Sequence, residues 1–171
     1  MKKALIIQNK YIGDVLTSSV IAENLKQINP EIEVHFFCYK PAVSVLENNP
    51  FIDQIISFEE KKLKKISVLN QYANQIKQEN YDIVLDPYAK LQSRFIVLKS
   101  RAKRRISYDK PFFKHIYTDV VEKTTIPTAE TSCTAIDNRV SLATSLMDEK
   151  ISLALHPKIY LTEDEIREGK D

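Results

Sequence analysis

Residues 3–38 read KALIIQNKYIGDVLTSSVIAENLKQINPEIEVHFFC. Residues 3–8 have a continuous apolar centre rather than an alternating one, the pattern of a strand buried on both faces. A polar loop follows. Residues 14–29 then place Val20, Ile21, Leu25 and Ile28 on one stripe of a helix, and Pro30 stops it. Residues 32–38 return to an apolar, β-branched and aromatic run. Strand, helix and strand joined by short loops form a parallel unit, because antiparallel neighbours need no crossover helix.

The same alternation continues outward from this unit. Pro41 is placed for the first turn of a short helix running to about Glu47. Residues 54–58 read as a third strand, and Ile66, Leu69, Ala73 and Ile76 mark a helix ending near Asn80. Residues 81–86 form a fourth strand and 91–100 another helix. Shorter strands are expected at 105–108 and 116–121. A helix over 134–147 has Ile136, Val140, Ala143 and Met147 on its apolar face. Near the end, Thr162 and Glu165 make a capping box that starts a further helix. The expectation is an α/β, Rossmann-like parallel sheet with helices on both faces.

The composition excludes several classes. In 171 residues, 43% are hydrophobic and 28% charged, which suits a soluble globular domain. A chain of this size buries roughly 70% of its unfolded surface in one core. There are two glycines, Gly13 and Gly169, so neither a G-x-G-x-x-G turn nor a Walker A loop can form, and dinucleotide dehydrogenases and P-loop NTPases are out. No apolar run approaches the ~20 residues of a membrane helix. The apolar stretch after Met1-Lys2-Lys3 is too short for a signal peptide, so a cytosolic location is expected. Cys38 and Cys133 are too far apart in sequence to suggest a disulfide framework. His35, His115 and His156 lack metal-ligand spacing.

Three segments could carry chemistry. In open α/β sheets ligands bind beyond the carboxyl ends of strands, and the first such loop, Asn9-Lys10-Tyr11-Ile12-Gly13-Asp14, holds Lys10, Gly13 and Asp14. Gly13 suggests either a positive φ or a ligand close to the backbone. Asp14 at the helix start reads equally as an N-cap and as a proton acceptor. The second segment, Asp86-Pro87-Tyr88-Ala89-Lys90-Leu91-Gln92-Ser93-Arg94, opens onto the same side, with Asp86 as helix cap or ligand contact and Ser93 as the other polar candidate. The third is a basic block. Residues 90–123 carry 10 basic and 3 acidic side chains; Lys99, Arg101, Lys103, Arg104, Arg105, Lys110 and Lys114 lie among aromatic residues. Such density suits a phosphate, a phosphorylated lipid headgroup or an anionic membrane surface, or simply a solvated face. A pI near 8.4 and the lack of any nucleic-acid motif argue against nucleic acid.

IGDVLTSSVIAENLKQINPEIEVHF, ENNPFIDQIISF and YDIVLDPYAKLQSRFIVLKSRAKRRISYDK, in this order and spacing, resemble glycosyltransferase family 9, the bacterial ADP-heptose:lipopolysaccharide heptosyltransferases. The resemblance runs from about Ala4 to Asp109. It implies the N-terminal half of a GT-B fold, with residues 1–161 as the acceptor-side domain and 162–171 as the start of an interdomain helix. The donor ADP-sugar would bind a C-terminal domain that this chain lacks, leaving the chain alone inactive and without a cofactor.

Carried over by position, the resemblance makes Asp14 the general base for inverting transfer without a metal. Gly13, Asp86 and Ser93, together with Lys10, Arg104 and Arg105, fall on the acceptor side. Tyr88 and Ala89 stand where the family usually has Gln-Gly, Gln92 where a basic residue is common, and Thr134 where many members have a His-bearing helix start. The implied partner is a lipopolysaccharide core or lipid-linked sugar acceptor at the inner face of the cytoplasmic membrane. The rival expectation is a non-catalytic Rossmann-like module that binds a nucleotide or an anionic partner.

Overall fold

The computed structural model describes residues 2–9, 11–110, 112–147 and 152–169. The chain runs through β1 (Lys3–Gln8), α1 (Ile12–Ile28), β2 (Glu33–Tyr39), a 3₁₀ turn over Lys40–Val45 and β3 (Gln54–Phe58). It continues with α2 (Glu60–Leu63), α3 (Ile66–Gln78), β4 (Ile83–Asp86), α4 (Leu91–Ser100) and β5 (Arg104–Tyr108). A second 3₁₀ turn over Lys114–Ile116, β6 (Asp119–Val121), α5 (Thr134–Thr144) and α6 (Glu163–Glu168) complete it.

The six strands form one sheet in the order β3-β2-β1-β4-β5-β6, and every pairing is parallel. The apolar centre of β1 explains its central place: Ala4, Leu5, Ile6 and Ile7 have no exposed surface. Ala4 and Ile6 face a core completed by Val15, Ile21 and Leu25 of α1 and Leu142 and Ala143 of α5. Leu5 and Ile7 face the opposite core, with Leu69, Ala73 and Ile76 of α3 and Ile96 and Val97 of α4. The expected fold class is therefore the observed one. From β1 the chain winds outward through β2 and β3, then returns to β4 on the other side. The loops after β1 and β4 thus part in opposite directions and leave a crevice between them.

Several local expectations are corrected. The Pro41 helix is a 3₁₀ turn. The helix expected over 134–147 ends at Thr144. The strand expected over 116–121 is shortened to Asp119–Val121, because Tyr117 turns inward to donate a hydrogen bond to Asp86. No positive φ occurs at a glycine; Gly13 lies in the first turn of α1, and the left-handed residue of that loop is Tyr11, at φ 51°. Asp14 is not the N-cap either, since α1 starts at Ile12.

Beyond α5 the chain runs back along α1. The buried Asn24 amide grips the backbone of Ala154: Nδ2 donates to its carbonyl at 2.9 Å, and Oδ1 accepts from its N–H at 3.1 Å. Further along, Asn48 donates to the Tyr160 carbonyl at 3.4 Å. The capping box at α6 forms as expected. The Glu165 N–H donates to the Thr162 hydroxyl, and the Thr162 N–H donates to the Glu165 carboxylate. No described residue of α6 is buried.

Candidate functional site

The crevice holds a pocket of about 370 Å³ lined by Gln8, Tyr11, Asp14, Pro87, Tyr88 and Arg139, with Lys90 at its edge. β1 ends at Gln8 and delivers the chain to the start of α1, which places Asp14 on the crevice side of the first turn. Its carboxylate is half exposed. Thr17 and Ser18 both donate to the Asp14 carbonyl, which fixes the backbone beneath the carboxylate.

Arg139 of α5 is the residue that sequence reading missed. Its side chain is only 10% exposed, and its guanidinium touches three elements. Nε donates to Ser18 Oγ at 3.0 Å, Nη1 to the Tyr108 hydroxyl at 3.3 Å and Nη2 to Asp14 Oδ1 at 3.4 Å. Gln8 Nε2 joins the chain by donating to Ser18 Oγ at 3.3 Å. A guanidinium suits this task because its planar donors can serve several acceptors at fixed angles. The signal was present: Arg139 stands three residues after Ile136 and four before Ala143, on the helix face expected to be buried.

Asp86 and Ser93 do not face the pocket. Both have no exposed surface; they build the loop that presents Pro87 and Tyr88. Asp86 Oδ1 accepts from the Ala89 N–H at 2.7 Å and Oδ2 from the Tyr117 hydroxyl at 2.8 Å. Burial pushes the Asp86 carboxyl above its ordinary value, with these two donors acting in the opposite direction. Ser93 caps α4 reciprocally with the Lys90 backbone. Ala89 adopts φ 48°, which a β-carbon tolerates poorly, and the buried Asp86 carboxylate holds it there.

Arg104 and Arg105 are not brought to the pocket. They begin β5 and so lie at the amino-terminal edge of the sheet, away from the crevice. Arg104 pairs with Asp119 at 2.8 Å and donates to the Ser145 carbonyl, while Arg105 donates to the carbonyls of Ile116 and Ala102. Lys10 lies outside the described residues.

The cations on the crevice side are instead Lys90, Lys110, Lys123 and Arg139. Lys110 donates to the Ala89 carbonyl at 3.3 Å, and Lys123 lies 4.4 Å from the centre of the Tyr108 ring. Burial first, then the neighbouring positive charges, hold Lys110 and Lys123 below the usual lysine range. Asp14 is the acidic neighbour that acts in the other direction on Lys123. Stacked cations of this kind favour an anion between them.

A larger cavity of about 750 Å³ lies further along the same edge, after β2 and β3, lined by Tyr39, Lys40, Pro41, Val43 and Glu47 among others. The smaller pocket is the better chemical site, because it combines a held carboxylate with converging cations at the point where the strand order reverses. Among the described residues no group of His, Cys, Asp and Glu could hold a metal ion. The Cys38 thiol is buried and pushed up to about 12, too high for a reactive thiolate.

Gly13 can be tested directly. A Cβ added there would meet nothing within 4 Å. Gly13→Ala is expected to raise stability by roughly 0.5–1 kcal/mol through helix propensity, read as a higher Tm. If the open space admits a ligand to the backbone, the same methyl weakens ligand binding while the fold gains.

No family model matches the chain. Lipopolysaccharide heptosyltransferase 1 from Campylobacter coli is 27% identical over 115 residues, covering 67% of this chain and 33% of the relative. A glycosyl transferase family 9 structure from Veillonella parvula overlays 95% of this chain and 46% of its own, with a TM-score of 0.78 and 20% identity. The E. coli heptosyltransferase WaaC, solved with ADP-2-deoxy-2-fluoro heptose, overlays 92% of this chain and 52% of its own at a TM-score of 0.73 and 15% identity. The chain thus spans about a third of the curated relative and half of the solved structures. The resemblance read from the sequence is matched by a heptosyltransferase relative, and one family 9 structure and one heptosyltransferase structure share the fold over almost the whole of this chain.

Proposed function

We propose that this chain is the acceptor-binding half of an inverting, heptosyltransferase-like glycosyltransferase that acts on a lipopolysaccharide core. The observation that carries the reading is the Asp14 carboxylate, held by Arg139 in the crevice at the sheet's reversal point. The donor, an ADP-sugar, binds a second domain that faces this one across the cleft of a GT-B fold. In this reading the helix that starts after Thr162 belongs to the connection between the two domains.

In this mechanism the acceptor hydroxyl lies against Asp14. Asp14 takes its proton as the hydroxyl oxygen attacks the anomeric carbon from the side opposite the leaving group. The bond from that carbon to the diphosphate breaks, the electron pair leaves with ADP, and the configuration inverts. An exposed carboxylate is a weak base in water, so closure of the second domain over the crevice is needed to exclude solvent. Lys90, Lys110 and Lys123 hold an anionic group of the acceptor. Asp86 and Ser93 act through the loop they build. An anionic acceptor carried in a lipid surface brings the protein to the inner face of the membrane as a peripheral guest. No helix among the described residues is long and apolar enough to cross it.

Calorimetric titration of the 171-residue chain tests the reading. Binding of a phosphorylated lipopolysaccharide core oligosaccharide, with no binding of ADP, is the expected result. Binding of ADP without binding of the oligosaccharide would make this a nucleotide module and remove the acceptor assignments.

A further inference from the structure

Alternation along β1 sends successive side chains to opposite faces of the sheet. Gln8 points toward the α1 side, into the Asp14 pocket, and Asn9 points the other way. Asn9 is 6% exposed, and neither its Oδ1 nor its Nδ2 finds a hydrogen-bond partner in the protein. It borders a small cavity of about 40 Å³, with Phe58, Glu60, Leu63, Lys64, Tyr88 and Gln92 around it. Tyr88 lines this cavity and the Asp14 pocket alike. Two recesses, one holding Asp14 and the other Asn9, therefore flank a single aromatic side chain. Gln8 Oε1, on the Asp14 side, is likewise without a partner.

A buried amide with both halves unbonded costs about 1–3 kcal/mol for each unsatisfied group, and native proteins keep few of them. Its chemistry specifies the ligand class. One end accepts and the other donates, which matches an alcohol or a pair of adjacent alcohols. A carboxylate or phosphate could use only the amide N–H₂. At about 40 Å³ the cavity has room for a hydroxyl or hydroxymethyl group beside the amide.

We propose that Asn9 is a specificity residue that reads a hydroxyl group of the acceptor sugar on the far side of Tyr88 from Asp14. The acceptor straddles Tyr88, with its reacting hydroxyl at Asp14 and a second hydroxyl against Asn9. This rests on the acceptor-half reading above and adds to it a hydroxyl-recognising subsite on the far side of Tyr88.

The test uses Asn9→Leu, which keeps the side-chain size without polar atoms, and Asn9→Ala in case leucine packs poorly. Binding of the phosphorylated core oligosaccharide is measured by calorimetry and Tm by thermal unfolding, in parallel with the unsubstituted chain. The expected result is a Tm equal to or above that of the parent together with binding at least ten-fold weaker. Unchanged binding in both variants would overturn the subsite, and so would a Tm lowered by several degrees in both, since the amide would then be serving the fold. Failure of the unsubstituted chain to bind would overturn the acceptor-half reading and the subsite with it, whereas parent-like binding by the variants overturns the subsite alone.

Discussion

Asp14→Asn, in an enzyme that has both its acceptor and donor halves, is expected to lower kcat by roughly 10²–10⁴-fold with little change in acceptor KM or Tm. The amide is the same size as the carboxylate and retains an oxygen for Arg139, whose Nη2 now donates to Asp14 Oδ1 at 3.4 Å. Gln8, Ser18, Arg139 and Tyr108 remain linked without it. What disappears is the ability to accept a proton. Steady-state kinetics with ADP-sugar and acceptor, run beside thermal unfolding, separate this from misfolding. Wild-type turnover in the variant would sink the assignment of the base. A raised KM with an unchanged kcat would mean that the carboxylate binds the acceptor without activating it.

The second large effect falls on stability. Asp86→Ala removes a fully buried carboxyl and leaves the Ala89 N–H and the Tyr117 hydroxyl without their acceptor. Two orphaned buried donors at about 1–3 kcal/mol each put the loss near 3 kcal/mol. For a chain of this size that lowers Tm by about 6–12 °C. Asp86→Asn should lose much less, because its Oδ1 still accepts from Ala89 and its Nδ2 can donate to the Tyr117 oxygen.

The pair also separates by pH. Burial raises the Asp86 pKa in the folded state, so the native protein holds the proton more tightly than the unfolded chain. The stabilisation from this group is full below the unfolded value near pH ~4 and is lost as pH rises through the folded one. Asp86→Asn should therefore gain on the parent as pH increases, in denaturant titrations from acid to neutral pH. A constant difference across that range would contradict the raised pKa.

The strand–helix–strand unit at residues 3–38 was legible because its periods change sharply and Pro30 marks the boundary. The box at Thr162 and Glu165 was legible because capping is local chemistry. The basic block divides between two ends of the sheet for a geometric reason. Five residues of β5 separate Arg104 from the loop holding Lys110, which at about 3.3 Å per residue puts ~17 Å between the two edges of the sheet. Density along the sequence carries no information about which edge a charge reaches.

Gly13 misled in a different way. With two glycines in the chain, left-handed backbone falls to other residues, and Tyr11, Asn48, Asn80, Ala89 and Arg101 are among those that adopt it. Arg139 was not assigned to the site, and Asn9 entered only as the first residue of its loop, because each depends on a partner, or a missing partner, that only the folded chain brings near. Helix spacing placed Arg139 on a buried face, but the Ser18, Tyr108 and Asp14 acceptors come from α1 and β5.

The grip of Asn24 on Ala154 imitates one rung of a β-ladder with a side chain in place of a strand. A rung has immediate neighbours that share the load when it opens, whereas the next ties of this segment, Lys158 to Glu23 and Asn48 to the Tyr160 carbonyl, lie several residues further on. Opening it exchanges two hydrogen bonds for water at roughly 0.5–1.5 kcal/mol each, far less than global unfolding. The Ala154 amide should accordingly trade its hydrogen for solvent deuterium through a local release of the segment, while the amides of β1 wait for the whole domain to unfold. The segment around Ala154 is therefore expected to open by itself, while the helix that Asn24 belongs to stays folded.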